Sequence, residues 1–210
     1  MELEYKGGNC VVISHKKDTF VTDPKLSDVG LKDQGAAATV QLLTQNRFAA
    51  AASDETMVVD GPGEYEINNC SIWGIAAQTH LEPEGKNMAT IYKVDLGEVS
   101  LAIIGHVAAK LSDEQLEAIG VVDVLIIPVG GYGYTLEPKQ AVDMVRSIEP
   151  KIVVPVHYAE DGITYEVPQA PLEEFLKELG STAEEPVAKL KLKEGQLPEK
   201  LTVQPLLLTK

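Results

Sequence analysis

Cysteine is nearly missing from this chain: Cys10 and Cys70 are the only two in 210 residues, and they form no CxxC pair. A disulfide framework is thereby excluded, and two free buried thiols are expected. Basic residues are scarce too, with 18 Lys and Arg against 32 Asp and Glu and a formal net charge of -14. That field repels phosphate backbones and anionic lipid heads, so neither nucleic acid nor a membrane surface is expected as a partner. No apolar run approaches the roughly 20 residues of a membrane span. The N-terminus, Met1-Glu2-Leu3-Glu4-Tyr5, is acidic and alternating rather than basic and then apolar, so the chain is expected in the cytoplasm. Several catalytic signatures are missing as well. Ser71, Ser100, Ser112 and Ser147 have no Gly-x-Ser-x-Gly elbow, neither cysteine adjoins a histidine, and the acidic residues form no recognisable carboxylate pair. Gly130-Gly131-Tyr132-Gly133-Tyr134 is glycine-rich but lacks the Gly-Lys-Ser/Thr ending of a Walker loop.

What is present is a strongly patterned chain, 44% hydrophobic and long enough for one substantial core, so a single domain over 1–210 is expected. The first third reads as short strands. Leu3 and Tyr5 alternate with charges, and Cys10 to Ser14 and Thr19 to Thr22 are β-branched runs separated by the turns Gly7-Gly8-Asn9 and His15-Lys16-Lys17-Asp18. Further strands are expected at Thr39 to Thr44, Met57 to Val59, Glu64 to Ile67, Ser71 to Ile75 and Ala89 to Val94. From Ser100 the pattern changes to strand–helix–strand units built on the buried runs Leu101 to Ile104, Val122 to Ile127 and Ile152 to Val154. Ser112 and Gln115 form a capping box, Pro138 sits in the first turn of a second helix, and Pro171 opens a third that ends at Gly180. Lys189-Leu190-Lys191-Leu192-Lys193 reads as an edge strand guarded by lysines. Strands first, then alternating units, then closing strands imply two packed sheets with helices outside.

Four histidines occur. His157 closes the buried run Val153-Val154-Pro155-Val156, His106 follows Leu101 to Gly105, and His80 lies in the polar 78–87 loop. Ends of neighbouring strands converge in open sheets, and imidazoles gathered there can share a metal or a proton. His15, in a charged turn with Lys16, Lys17 and Asp18, is expected to face solvent.

Several stretches taken in order resemble one family: Val21-Thr22-Asp23-Pro24, Asp60-Gly61-Pro62-Gly63-Glu64-Tyr65-Glu66-Ile67, Leu101 to Gly105, and above all Gly120 to Tyr158. The chain is similar over nearly its whole length to the metallo-β-lactamase superfamily, specifically to stand-alone predicted zinc-dependent hydrolases related to L-ascorbate-6-phosphate lactonase. The resemblance implies an α+β, four-layer αββα sandwich. It also implies a strand ending in Thr/Ser-His-x-His-x-Asp-His whose ligands hold two zinc ions that generate hydroxide near neutral pH. In that frame Thr44 is followed by Gln45, Arg47, Ala49 and Ala50 at the four ligand positions. Alanine cannot coordinate, a neutral amide is a poor donor, and a guanidinium repels a dication. The later Gly-Asp motif, which supplies a bridging carboxylate, reads Gly105-His106. His80 and His157 match the family's ligands in type, His106 is a candidate substitute, and Asp23 is a family-like acid near the cleft.

The resulting expectation is a hydrolase homologue with most metal ligands lost, binding a small molecule, in particular an anionic one, or a protein. No cofactor is expected beyond at most one zinc on His80, His106 and His157. The alternative is a mononuclear zinc hydrolase of a small ester, lactone or phosphorylated metabolite using those three residues. Arg47, lying in the former metal frame, is the candidate anion-binding group, and Tyr132 and Tyr134 are candidate substrate contacts. A homo-oligomer is also compatible with the sequence.

Overall fold

A computed structural model describes residues 1–80, 88–193 and 195–209, so positions 81–87 of the polar loop after His80 lie outside the described residues. The strands are β1 (Glu2–Gly7), β2 (Cys10–His15), β3 (Asp18–Thr22), β4 (Val40–Leu42), β5 (Met57–Val59), β6 (Gly63–Ile67), β7 (Cys70–Gln78), β8 (Met88–Asp95), β9 (Ser100–Ile103), β10 (Val124–Pro128), β11 (Ile152–Val156), β12 (Leu190–Lys191) and β13 (Thr202–Val203). The α-helices are α1 (Asp113–Ile119), α2 (Pro138–Ile148) and α3 (Leu172–Leu179). They build the α+β sandwich implied by the sequence. One sheet has the order β12-β1-β2-β3-β4-β5 and the other β13-β11-β10-β9-β8-β7-β6.

The period-two geometry of a strand explains how the apolar runs are used. On β10, Val124 and Ile126 point into the space between the sheets, while Leu125 and Ile127 point to the helices. β9 and β11 divide their side chains in the same way, Leu101, Ile103 and Val154 inward and Ala102 and Val153 outward. Both faces are buried, which is why these parallel strands read as continuous apolar runs. From the first sheet, Leu3, Tyr5, Val11, Ile13, Phe20, Val40 and Leu42 fill the other half of the interior. Tyr92 of β8 ties the sheets together, its hydroxyl 2.8 Å from the Leu43 carbonyl and 2.9 Å from that of Val59.

The three α-helices cover the outer face of the second sheet with Ile119, Val142, Val145 and Phe175. α1 starts at the Ser112/Gln115 capping box, α2 has Pro138 in its first turn, and α3 stops at Gly180 in the left-handed conformation. Outside the first sheet the layer is thinner. Short 3-10 turns at Ser27–Val29 and Gly35–Ala37 lie there, with Leu26 and Ala38 packed on Cys10 and Val21. Cys10 and Cys70 are free and buried.

The C-terminal segment seals one side. Thr202 and Val203 pair with β11, and the Thr209 amide donates to the Tyr5 carbonyl of β1. His15 departs from expectation: it is 6% exposed. The strand runs one residue further than the charged turn suggests, His15 pairs with Asp18, and only Lys16 and Lys17 form the turn, Lys16 at φ 53°.

Candidate functional site

The carboxyl ends of β3, β4, β9 and β11 meet at one rim of the sandwich. Asp23, the residue after β3, is held at φ 38° and is 2% exposed. The Thr44 amide donates to its Oδ1 at 2.8 Å and the Thr44 hydroxyl to its Oδ2 at 2.6 Å. Burial outweighs those bonds and pushes the Asp23 carboxyl up to about 7. Gly105, at φ 64°, is what lets the ends of β4 and β9 approach, because a Cβ there would stand 2.5 Å from the Thr44 side chain. Gly130 does the same beside β11, where a Cβ would collide with the His157 carbonyl and the Gln169 amide.

Between these ends lies a chain of four buried side chains. The Nε2 atoms of His106 and His157 are 3.3 Å apart. Gln169 Nε2 donates to the carbonyls of Val167 and Pro168, which leaves Oε1 to accept from His157 Nδ1 at 3.1 Å. His157 therefore carries its hydrogen on Nδ1, and its Nε2 accepts from His106 Nε2. His106 Nδ1 then accepts from Asn9 Nδ2 at 2.8 Å. Every ring nitrogen has a partner with both imidazoles neutral, consistent with burial lowering His106 well below the usual histidine range and His157 to about 4. Aromatic rings enclose the pair. Phe48 stacks on His106 at 4.9 Å, Tyr134 meets His106 edge-on at 5.2 Å, and Tyr165 lies 4.4 Å from His157.

Arg47 sits at the mouth. Its Nε donates to Gln45 Oε1 at 2.7 Å, and its guanidinium carbon is 4.7 Å from the centre of the Phe48 ring and 5.8 Å from that of Tyr134. Arg47, His106 and Tyr134 border two spaces. One is an inner cavity of about 60 Å³ reaching Asn9, Asp23, His157 and Tyr165. The other is an outer cleft of about 450 Å³ reaching Gln45, Asp60, His80 and Thr90.

His106 and His157 are thus brought together, with Arg47 and Tyr134 beside them. His80 stands apart on the outer cleft, placed by a bridge between Thr79 and Val107, with its amide donating to the His106 carbonyl. Tyr132 is 58% exposed and lines neither space. Ala49 and Ala50 line neither, whereas Gln45 and Arg47 line the cleft. The Gly130 to Tyr134 loop spends its amides internally, Gly131 donating to Thr135 Oγ1 and Gly133 to Glu137 Oε1, so it is no phosphate cradle. Asn9, Phe48, Tyr165 and Gln169 were not singled out by the sequence. Only Phe48 carried a signal, as the neighbour of Arg47.

The separation of 3.3 Å between the two Nε2 atoms is close to the edge of a zinc tetrahedron with Zn–N bonds of about 2.0–2.1 Å. A catalytic zinc needs about three protein ligands. Among the described residues, no group of three or more His, Cys, Asp or Glu side chains is disposed to hold a metal ion. In this arrangement the described residues bring together two imidazoles where such a centre takes about three ligands.

Known proteins supply the ancestry. A family profile described as a β-lactamase superfamily domain matches residues 2–157. A UPF0173 metal-dependent hydrolase of Thermococcus onnurineus is 32% identical over 126 residues, 58% of this chain and 54% of that protein. A UPF0173 protein of Pyrococcus furiosus is 47% identical over 60 residues, 29% of this chain and 25% of that protein. The chain thus matches about half or less of the length of these curated relatives. Among solved structures, a Thermotoga maritima protein described as a Zn-dependent hydrolase of the metallo-β-lactamase superfamily superposes with a TM-score of 0.79, at 25% identity and 98% coverage of both chains. Igni18, a metallo hydrolase from Ignicoccus hospitalis, gives a TM-score of 0.60 at 16% identity over 85% of this chain and 90% of that one. With a profile match across three-quarters of its length and a full-length structural counterpart, this chain belongs to the metallo-β-lactamase superfamily.

Proposed function

We propose that this protein has given up the dinuclear hydrolytic site of its superfamily and binds a small anionic molecule in the outer cleft. The observation that carries this reading is the position of Arg47: a fixed cation at the cleft mouth, in the sequence frame where its family places a metal ligand. Its Nε is anchored on Gln45 and its ring contacts orient the plane, which leaves the terminal nitrogens to face a carboxylate or phosphate bidentately. The cleft is large enough for a metabolite, whereas the inner cavity holds little more than water. Two measurements test this. Plasma mass spectrometry on protein purified without chelator should find no stoichiometric metal, and two zinc ions per chain would refute the reading. Calorimetric titration with inorganic phosphate should show binding that Arg47→Ala abolishes, and equal affinities would remove Arg47 from the site.

A second reading has its own support: the 3.3 Å imidazole pair, and relatives named metal-dependent hydrolases. Here one zinc would be held by His106 and His157, with His80 swung in as the third ligand. It requires one equivalent of zinc, lost together with turnover of a small ester or lactone in His157→Ala. In either reading the partner is a small molecule rather than nucleic acid, given the net charge of -14. No helix among the described residues is long and apolar enough to cross a membrane. A cytoplasmic location and a homo-oligomer remain parts of the proposal; light scattering on a sizing column that showed only monomer would remove the second.

A further inference from the structure

The outer cleft holds a second fixed charge that binding at Arg47 leaves unused. Among its described lining residues Arg47 is the one cation and Asp60 the one carboxylate. Burial lowers the two histidines that border it, His80 and His106, so both are neutral near pH 7. β3, β4 and β5 run parallel, so their carboxyl ends share the rim, and Asp60 follows β5 as Asp23 follows β3. Asp23 is buried, whereas Asp60 is exposed.

Asp60 is presented by a corner that backbone contacts hold on both sides. The Val59 carbonyl accepts from the Leu43 amide at 2.9 Å and lies 2.9 Å from the Tyr92 hydroxyl. On the other side the Gly61 carbonyl accepts from the Tyr65 hydroxyl at 3.1 Å, and it approaches β7 so closely that a Cβ on Gly74 would stand 2.5 Å from it. Pro62 stiffens the exit. Among the described residues neither Asp60 nor Arg47 enters an ion pair, with each other or with any other side chain. Two opposite charges, each on a held backbone and neither neutralised, thus line one cleft. A ligand that satisfies Arg47 alone brings its negative charge into the space that Asp60 faces, and it approaches a chain of net charge -14. A ligand that also carries an ammonium group meets both charges, and its own net charge is small. We propose that the ligand of the outer cleft is a small zwitterion, with its carboxylate or phosphate on Arg47 and a primary ammonium on Asp60. This inference rests on the reading of Arg47 as the anion-binding group and adds the second contact. An ammonium offers three donors and a carboxylate only acceptors, so the pairing at Asp60 is complementary. Pro62 and Met88 line the same cleft and give an uncharged linker an apolar surface.

Calorimetry on the full chain with two matched pairs of probes tests this: ethanolamine phosphate against ethyl phosphate, and β-alanine against propionate. The amine member of at least one pair should bind about fivefold tighter or more, and the pair that shows the preference identifies the anionic head. Asp60→Asn should bring that ratio to about one, while Arg47→Ala should abolish binding of both members. Equal affinities within both pairs, or a preference that survives Asp60→Asn, would overturn the zwitterion and leave the anion reading standing. If none of the four probes binds the wild type, the anion reading fails and takes this inference with it. Asp60 is exposed and its corner is held by backbone carbonyls, so Asp60→Asn should melt with the wild type, and a lost ratio then reports on the cleft rather than on unfolding.

Discussion

Asp23 makes the stability of this fold pH-dependent in a direction opposite to that of most acidic residues. Its carboxyl is raised from 3.8 to about 7 because burial outweighs two hydrogen bonds from Thr44 and one from Asn9. A carboxyl raised in the folded state favours folding while protonated. Its contribution is complete below pH 4, where the unfolded chain is protonated too, and is lost as pH rises to about 7. Asp23→Asn removes this titration and keeps the shape. The amide oxygen still accepts the Thr44 amide, and the Thr44 hydroxyl accepts from the new NH2 instead of donating. At 1.36 kcal/mol per unit, the shift from 3.8 to about 7 corresponds to roughly 4 kcal/mol in full, of which roughly 2.5 kcal/mol falls between pH 5 and pH 8. Urea denaturation of both proteins at those two pH values measures it, since other titrating groups cancel in the difference. The wild type should lose about 2.5 kcal/mol more than the variant. Parallel losses, within about 0.5 kcal/mol, would show that Asp23 is already ionised in the folded protein and that burial does not dominate at this site.

Gly105→Ala should destabilise the fold by about 2 kcal/mol or more, because it combines φ 64° with a Cβ 2.5 Å from Thr44; an unchanged melting curve would contradict the close approach of β4 and β9. Gln169→Ala leaves the His157 Nδ1–H buried without an acceptor and should cost about 1–3 kcal/mol, accompanied by a mixed tautomer in imidazole 15N spectra. In the metal-free wild type the same spectra should show His106 protonated on Nε2 and His157 on Nδ1. His106 protonated on Nδ1 would reverse the direction of the whole chain.

The sheet-building elements were legible where local chemistry decides. Val124 to Ile127 and Ile152 to Val156 are buried on both faces, so their burial is written in residues two apart. Ser112 with Gln115, and Gly180 beyond α3, mark helix ends with side chains that satisfy backbone groups locally. The superfamily itself was legible from the order of such segments. The site was legible only in part. His106 and His157 stood out because each ends a buried strand, but their meeting depends on the parallel stacking of β9, β10 and β11, which the individual strands do not encode. Asn9 is 97 positions from the ring it contacts, and Gln169 lies in irregular chain beyond β11. His15 was misplaced because charge in a turn suggests solvent, whereas its strand pairing with Asp18 buries it.

The two functional readings meet at one amide. With Asn9 Nδ2 toward His106, the imidazole pair is closed on itself: the lone pair of His157 Nε2 is taken by the hydrogen on His106 Nε2, and neither ring offers a nitrogen to a cation. Rotating the Asn9 amide by half a turn would present Oδ1 instead, move the His106 hydrogen to Nδ1, and leave two lone pairs facing each other at the separation a zinc ion spans. Asn9 Oδ1 has no partner among the described residues, so the rotation would cost no bond on that side. It would cost the contact of Nδ2 with Asp23, which helps to hold that carboxyl down. Asp23 thus biases Asn9, Asn9 sets the tautomer of His106, and that tautomer decides whether the pair is a closed hydrogen bond or half of a metal site. The closed arrangement prevails because it satisfies all four ring nitrogens with side chains already in place, and opening it yields only two of the three ligands a catalytic ion requires.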